Sequence, residues 1–310
     1  GSTPPLIAQD VTLFQQFNGR YDYTAIGNTF NTVENGPDNV CVILNTASAT
    51  LNLNANQNVV AAYLYWAGSG TGDLEVTLNS IPITAERLFD DGLDANRVFF
   101  AAFADVTDII IAQGSAVYTV SDFNLSDVIA PYCPSGTNFG GWAITIIYED
   151  TNLPLNQLNV YDGLQSVPTF LSITLDNLNV LDNEDAKIGF VAWEGDRSLA
   201  VNEQLTINGN VISNLPLNPA NNAFNGTNSF TGDTDLYNMD IDVYNIQDNI
   251  NIGDTSATIA LTSGQDFVMI NNIITVLNSQ LPDATLSIDD YIVNCGANSI
   301  DLFYTINNFN

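Results

Sequence analysis

Apolar and polar residues alternate along much of this chain with a period of two. Leu74-Glu75-Val76-Thr77-Leu78 sends its apolar side chains to one side and its polar ones to the other, as a half-buried strand does. Leu158-Asn159-Val160 repeats the pattern, as do Ile300, Leu302, Tyr304 and Ile306. Residues 117–120, 170–175, 258–261 and 270–277 are β-branched or aromatic runs bounded by Asn, Asp and Gly, which also read as strands. Residues 59–66 and 142–148 are almost continuously apolar and predict central strands buried on both faces. Asn208-Gly209, set between apolar runs, predicts a tight type I′ hairpin, because both residues tolerate positive φ. Helical spacing is confined to residues 105–113, with Asp105 or Thr107 as N-cap and Gly114 as the stop. Short strands with turn signals at roughly 8–12-residue spacing predict an all-β fold, a β-sandwich of jelly-roll character with long loops and little helix. Residues 215–229, holding Pro216 and Pro219, read as one long ordered loop. Pro282 marks a boundary. Residues 1–282 form a β-sandwich domain with room for subdomains, and 283–310 a terminal hairpin or the opening of a following Ig-like module.

Composition narrows the chemistry. The 310 residues include 5 Lys+Arg, 35 Asp+Glu and no His, for a formal charge of −30. Without histidine there is no Ser-His-Asp triad, no histidine-bearing zinc or haem site and no histidine pH switch. The negative field argues against nucleic acid, where cationic contacts dominate affinity. The 45% hydrophobic content argues against disorder. No apolar run approaches the roughly 20 residues that a membrane helix needs, so no membrane insertion is expected. Asn occupies 41 positions, which fits a fold rich in turns. The three cysteines are too far apart for a Cys-x-x-Cys site. They read either as three buried thiols or as a Cys41–Cys133 disulfide in an exported protein, with Cys295 free or paired elsewhere.

Acidic clusters are the candidate chemistry. In "GDTDLYNMDIDVYN", Asp240 and Asp242 share one face of a strand and repel each other unless donors or a cation lie between them. Asp233 and Asp235 in the preceding loop could complete a calcium cage of carboxylate, amide and backbone oxygens. Glu194 and Asp196 could join that metal site or form another. The alternative is a solvated loop with Asx-turns, and Asp90, Asp91 and Asp94 read mostly as a turn. Tyr132, Phe139, Phe224 and Tyr237 fall in loop-like segments and are candidate ligand-binding rings for a neutral sugar, whose faces stack on aromatics. Adjacent strand residues Glu149 and Asp150 face opposite ways, and no catalytic residues are assigned. Lys187, the single lysine, reads as a solvent-facing strand end or, less simply, as a cross-link to Asn.

Seven segments in order, "VVAAYLYWAGSG", "VFFAAFADVT", "GGWAITIIYED", "LPLNQLNVYDGLQ", "KIGFVAWEGD", "NPANNAFNGT" and "NMDIDVYNI", resemble the N-terminal β-sandwich domain of large secreted bacterial surface proteins. These are Bacteroidetes-type adhesins associated with gliding motility and the type nine secretion system. The resemblance covers residues 59–278. It implies an extracellular, cell-surface adhesin-type module with no established reaction. The acidic clusters add calcium-stabilised loops to that expectation, and the lack of a catalytic constellation makes it a non-catalytic one. Its partners would be surface glycans or other cell-surface proteins, alongside further repeat modules of the parent chain. The alternative is a carbohydrate-binding module or lectin of a polysaccharide-utilising system.

Overall fold

The computed structural model describes residues 10–167, 170–199, 202–279, 284–293, 296 and 299–308. Leu281–Asp283 and Cys295, on which the boundary and the third thiol were placed, lie outside them. The fold is all-β and sandwich-like. Its strands are β1 Thr12–Gly19, β2 Tyr21–Thr29, β3 Ala47–Leu51, β4 Asn58–Ser69, β5 Glu75–Leu78, β6 Ile81–Thr84, β7 Arg87–Asp94, β8 Arg97–Asp105, β9 Ala116–Ser121 and β10 Gly140–Glu149. There follow β11 Asn156–Val167, β12 Phe170–Leu175, β13 Lys187–Trp193, β14 Gln204–Ile207, β15 Asn210–Val211, β16 Met239–Asn245, β17 Ala257–Thr262, β18 Val268–Asn278, β19 Ala284–Val293 and β20 Ile300–Asn308. One short helix, α1 Thr107–Gln113, ends at Gly114 as its sequence signals. A 3-10 turn spans Ala130–Ser135.

The strand order reveals a duplication. Strands β2-β10-β4-β8 form one antiparallel sheet, with β7 added at its edge, and β3-β9-β5-β6 form its partner. Strands β11-β18-β13-β16, with β1 added at the edge, and β12-β17-β14-β15 repeat the same order. Each half therefore winds its strands in jelly-roll order. Corresponding hairpins share a turn type: Asn79-Ser80 and Asn208-Gly209 both have positive φ at the two central positions.

The two jelly rolls stack as four layers. Alternate side chains of the inner strands serve different cores. On β4, Leu64 and Trp66 face the outer sheet of the first roll, whereas Tyr63 and Tyr65 face the second roll. On β13, Ile188, Phe190 and Ala192 face the outer sheet of the second roll, whereas Val191 and Trp193 face the first. This is why residues 59–66 and 142–148 are apolar throughout: both of their faces are buried, as the sequence predicts. Gly189 permits the closest approach between the rolls. A Cβ there would stand 1.6 Å from the Tyr23 hydroxyl oxygen.

Polar groups cross the central layer where they are fully paired. Asp162 on β11 accepts two hydrogen bonds from Arg87 of β7, at 2.6 and 2.8 Å, and a third from Tyr65 at 2.8 Å. Lys187 of β13, expected as a solvent-facing strand end, is part-buried and pairs with Asp22 of β2 at 2.6 Å. Thr145 donates to the Asn272 side chain, which in turn donates to the Tyr161 carbonyl.

Candidate functional site

Two features stand out: a buried polar junction at one end of the stacked rolls and an open groove along their seam. The junction begins where β13 ends. Glu194 has φ +73° and turns the chain sharply inward, and Asn238, just before β16, has φ +59°. Such conformations are disfavoured for these residues and persist only when their surroundings hold them. Here the loop after β2 does so. The Asn35 side chain donates to both Glu194 oxygens at 3.0 Å, and its backbone N–H donates to Asn238 Oδ1 at 2.8 Å. Asn238 Nδ2 donates to Asp196 at 2.7 Å. The loop is pinned by a Cys41–Cys133 disulfide, which resolves the two sequence readings in favour of the disulfide.

Behind this contact lies a chain of carboxyls. Asp240 Oδ1 accepts the backbone N–H groups of Asn225, Gly226 and Thr227, each at 3.0 Å. Asp242 accepts from Asn218, Thr227 and Ser229. Glu203 accepts the Phe224 N–H at 2.5 Å, and Asp266 accepts the Asp196 N–H at 3.0 Å. Burial dominates their titration, because removing a carboxylate from water disfavours its charge. It pushes Glu194 and Asp240 well up, Asp240 with added repulsion from Asp242. Burial and Asp266 likewise raise Glu203. Burial pushes Asp242 and Asp266 up to about 7. Asp196 rises to about 10, from burial and then from Asp266, Glu194 and Glu34.

Of the expected metal ligands, the fold gathers Glu194, Asp196, Asp240 and Asp242 and leaves out Asp233 and Asp235, which are exposed. Asp235 pairs with Arg197 at 2.7 Å, and Asp233 accepts the Asp235 N–H within its turn. Loops between strands that bury their flanks face water, and these two residues sit on such a loop. Among the described residues no group of three acidic side chains is arranged to hold a metal ion. Glu203 and Asp266 were missed because each stands alone in sequence.

The expected sugar-stacking rings are misplaced. Tyr132, Phe139 and Phe224 are buried in the cores, so none presents a face to a ligand. Their segments look like loops, yet they are loops packed beneath the sheets. Tyr132 fixes its hydroxyl on the Val98 carbonyl, Phe139 packs near Trp193, and Phe224 packs edge-on to Phe190. Tyr237 is half-buried beneath the Arg197 guanidinium.

The seam groove was not expected. It is lined by Gln15 and Phe17 of β1, Val60, Ala61 and Tyr63 of β4, and the turn from Asp105 to Ile109, and it encloses about 550 Å³. That lies within the ordinary range for small-ligand sites. Gln15, Asp105 and Asp108 are exposed, and Phe17 is half-buried. Burial, then Asp105 and Asp162, raises the Tyr63 phenol to about 12, which keeps it a neutral donor.

No family model matches the chain, and no curated protein does. The solved structures to which it is similar include a single-residue variant of BuGH86 in complex with neoagarooctaose (10% identity, 87% of this chain, 34% of that chain, TM-score 0.27). They also include wild-type BuGH86 with the same oligosaccharide (10% identity, 87% of this chain, 33% of that chain, TM-score 0.26). The chain thus spans about a third of the length of these structures. Likeness at that level transfers neither activity nor site residues. The expectation that the chain is not an enzyme is corrected to no assignment either way: the similar structures hold an oligosaccharide, and likeness this low assigns no reaction.

Proposed function

We propose that the chain is an extracellular saccharide-binding module and that its site is the seam groove. The groove carries this reading. It offers the partly exposed face of Phe17 for stacking and the carboxylates of Asp105 and Asp108, the amide of Gln15 and the hydroxyl of Thr107 for sugar hydroxyls. No basic side chain lines it. Asp105 and Asp108 would repel an anionic glycan, so the chemistry favours a neutral one. An oxidising, extracellular setting is supported by the disulfide, since such bonds persist there. Adhesion to a glycan-coated surface is compatible with the same site.

Titration calorimetry with neutral oligosaccharides tests this. Gln15→Ala and Asp105→Asn should each weaken binding by roughly tenfold, the loss of one hydrogen bond to a polar ligand. Affinity unchanged in both variants would rule out the groove. Analysing the same mixtures for shortened products reports turnover directly.

A further inference from the structure

We propose that the buried junction of the second jelly roll binds one calcium ion, with Glu203 Oε2 and Asp240 Oδ2 as its anionic ligands. The inference rests on which atoms lack partners. Between the end of β13 and the first residues of β16, four fully buried oxygens receive no hydrogen bond from a protein N–H or hydroxyl group: Glu203 Oε2, Asp240 Oδ2, Asn218 Oδ1 and Asn222 Oδ1. The Glu203 and Asp240 carboxyls instead share protons with the carboxyls of Asp266 and Asp242, protons that a bound cation would displace. All four belong to residues no more than 5% exposed. All are acceptors. A junction left orphaned by chance packing would strand donors as well, yet every amide nitrogen of these asparagines is used. Unpaired buried acceptors are costly, and unpaired buried carboxylates far more so.

The four oxygens come from connected segments. Glu203 bridges to Asn222 through its backbone and accepts the Phe224 N–H. Asp240 holds the next three amides, Asn225 to Thr227. Gly195 lies against them: a Cβ there would stand 2.8 Å from Asp240 Oδ2 and 2.5 Å from the Phe224 carbonyl oxygen, so glycine keeps both oxygens clear. No protein cation neutralises the group. All five basic residues are committed elsewhere: Arg20 to the Leu153 carbonyl, Arg87 to Asp162, Arg97 to Asp94, Lys187 to Asp22 and Arg197 to Asp235. The anionic share of the site is two carboxylates rather than three, and amide and backbone oxygens supply the remainder. That mixture in an irregular, loop-built setting suits calcium, which takes six to eight oxygens flexibly, better than magnesium, which demands an octahedron.

The whole chain is titrated with Ca²⁺ and with Mg²⁺ after EDTA treatment, by calorimetry and by thermal melting at pH 7.5. Expected are one saturable Ca²⁺ site, a rise of several degrees in melting midpoint, and a smaller rise with Mg²⁺. Glu203→Gln and Asp240→Asn should each lower Ca²⁺ affinity at least tenfold and melt above the wild type in EDTA, because each replaces a carboxyl that must take up a proton to be buried without the ion. Asp233→Asn with Asp235→Asn should leave both readouts unchanged. Equal midpoints in Ca²⁺ and EDTA for the wild type would overturn the proposal. So would a Ca²⁺ increment that survives Glu203→Gln and Asp240→Asn but vanishes in the Asp233/Asp235 variant, which would place the ion on the exposed loop.

Discussion

At the scale of single residues, the closest contacts between the rolls are the least tolerant. Gly189→Ala drives a methyl group into the Tyr23 hydroxyl. Overpacking of this kind costs about 1–3 kcal/mol, read as a lowered denaturant midpoint. Tyr23→Phe in the same chain should recover part of it by removing the oxygen. Asp162→Asn breaks the paired charge that Arg87 needs. Breaking one partner of a buried pair costs about 3–5 kcal/mol, and Arg87 being one-third exposed puts the loss at the lower end. The same residue scale explains the many asparagines. The sequence reads them as turn formers, and several are. Asn31, Asn35, Asn238 and Asn272 instead carry hydrogen bonds between the two rolls, a use that composition does not disclose.

At the scale of elements, period-two patterning reports faithfully because a strand's two faces meet different environments. The predicted Asn208-Gly209 hairpin and the helix stop at Gly114 both appear, and residues 284–293 and 300–308 pair as antiparallel strands. Loops were harder to read. Residues such as Phe139 and Phe224 have loop-like neighbours in sequence but lie under sheets, since burial there depends on which layer covers the loop. The loop from Asn31 to Asn45 makes a test. Its anchor is the disulfide, which closes a separation of 92 residues. Cys41→Ser with Cys133→Ser should cost up to about 4–5 kcal/mol by chain entropy. It should also raise amide exchange at Asn31 and Asn35, because the contact with Glu194 and Asn238 then competes with a freer loop.

At the scale of the whole molecule, the charge of −30 divides into an exposed majority and a small buried set. The buried carboxyls hold protons more tightly in the native state than in the unfolded chain, where they ionise near pH 4. Their contribution to stability is therefore full below about pH 4. It is lost as pH rises through about 7, where Asp242 and Asp266 titrate, and on toward 10, where Asp196 does. In EDTA the melting midpoint should fall steadily from pH 4.5 to pH 9. A midpoint that climbs over that range would contradict these buried carboxyls. The rolls also share one central core, so a single cooperative transition is expected by calorimetry, with calorimetric and van't Hoff enthalpies equal.

Alternation, turn residues and the absence of histidine were enough by themselves to determine an all-β sandwich without histidine chemistry, because strand period and turn preference are local properties of the backbone. Only the tertiary structure decided that there are two jelly rolls of the same strand order. That order lives in hydrogen-bond pairing between distant strands. Only the tertiary structure brought Glu203 and Asp266 to Asp196 and Asp240, sent Asp233 and Asp235 to solvent, and opened a groove between β1 and β4. Each depends on which surfaces remain exposed once four layers have stacked, and no local window of sequence carries that information.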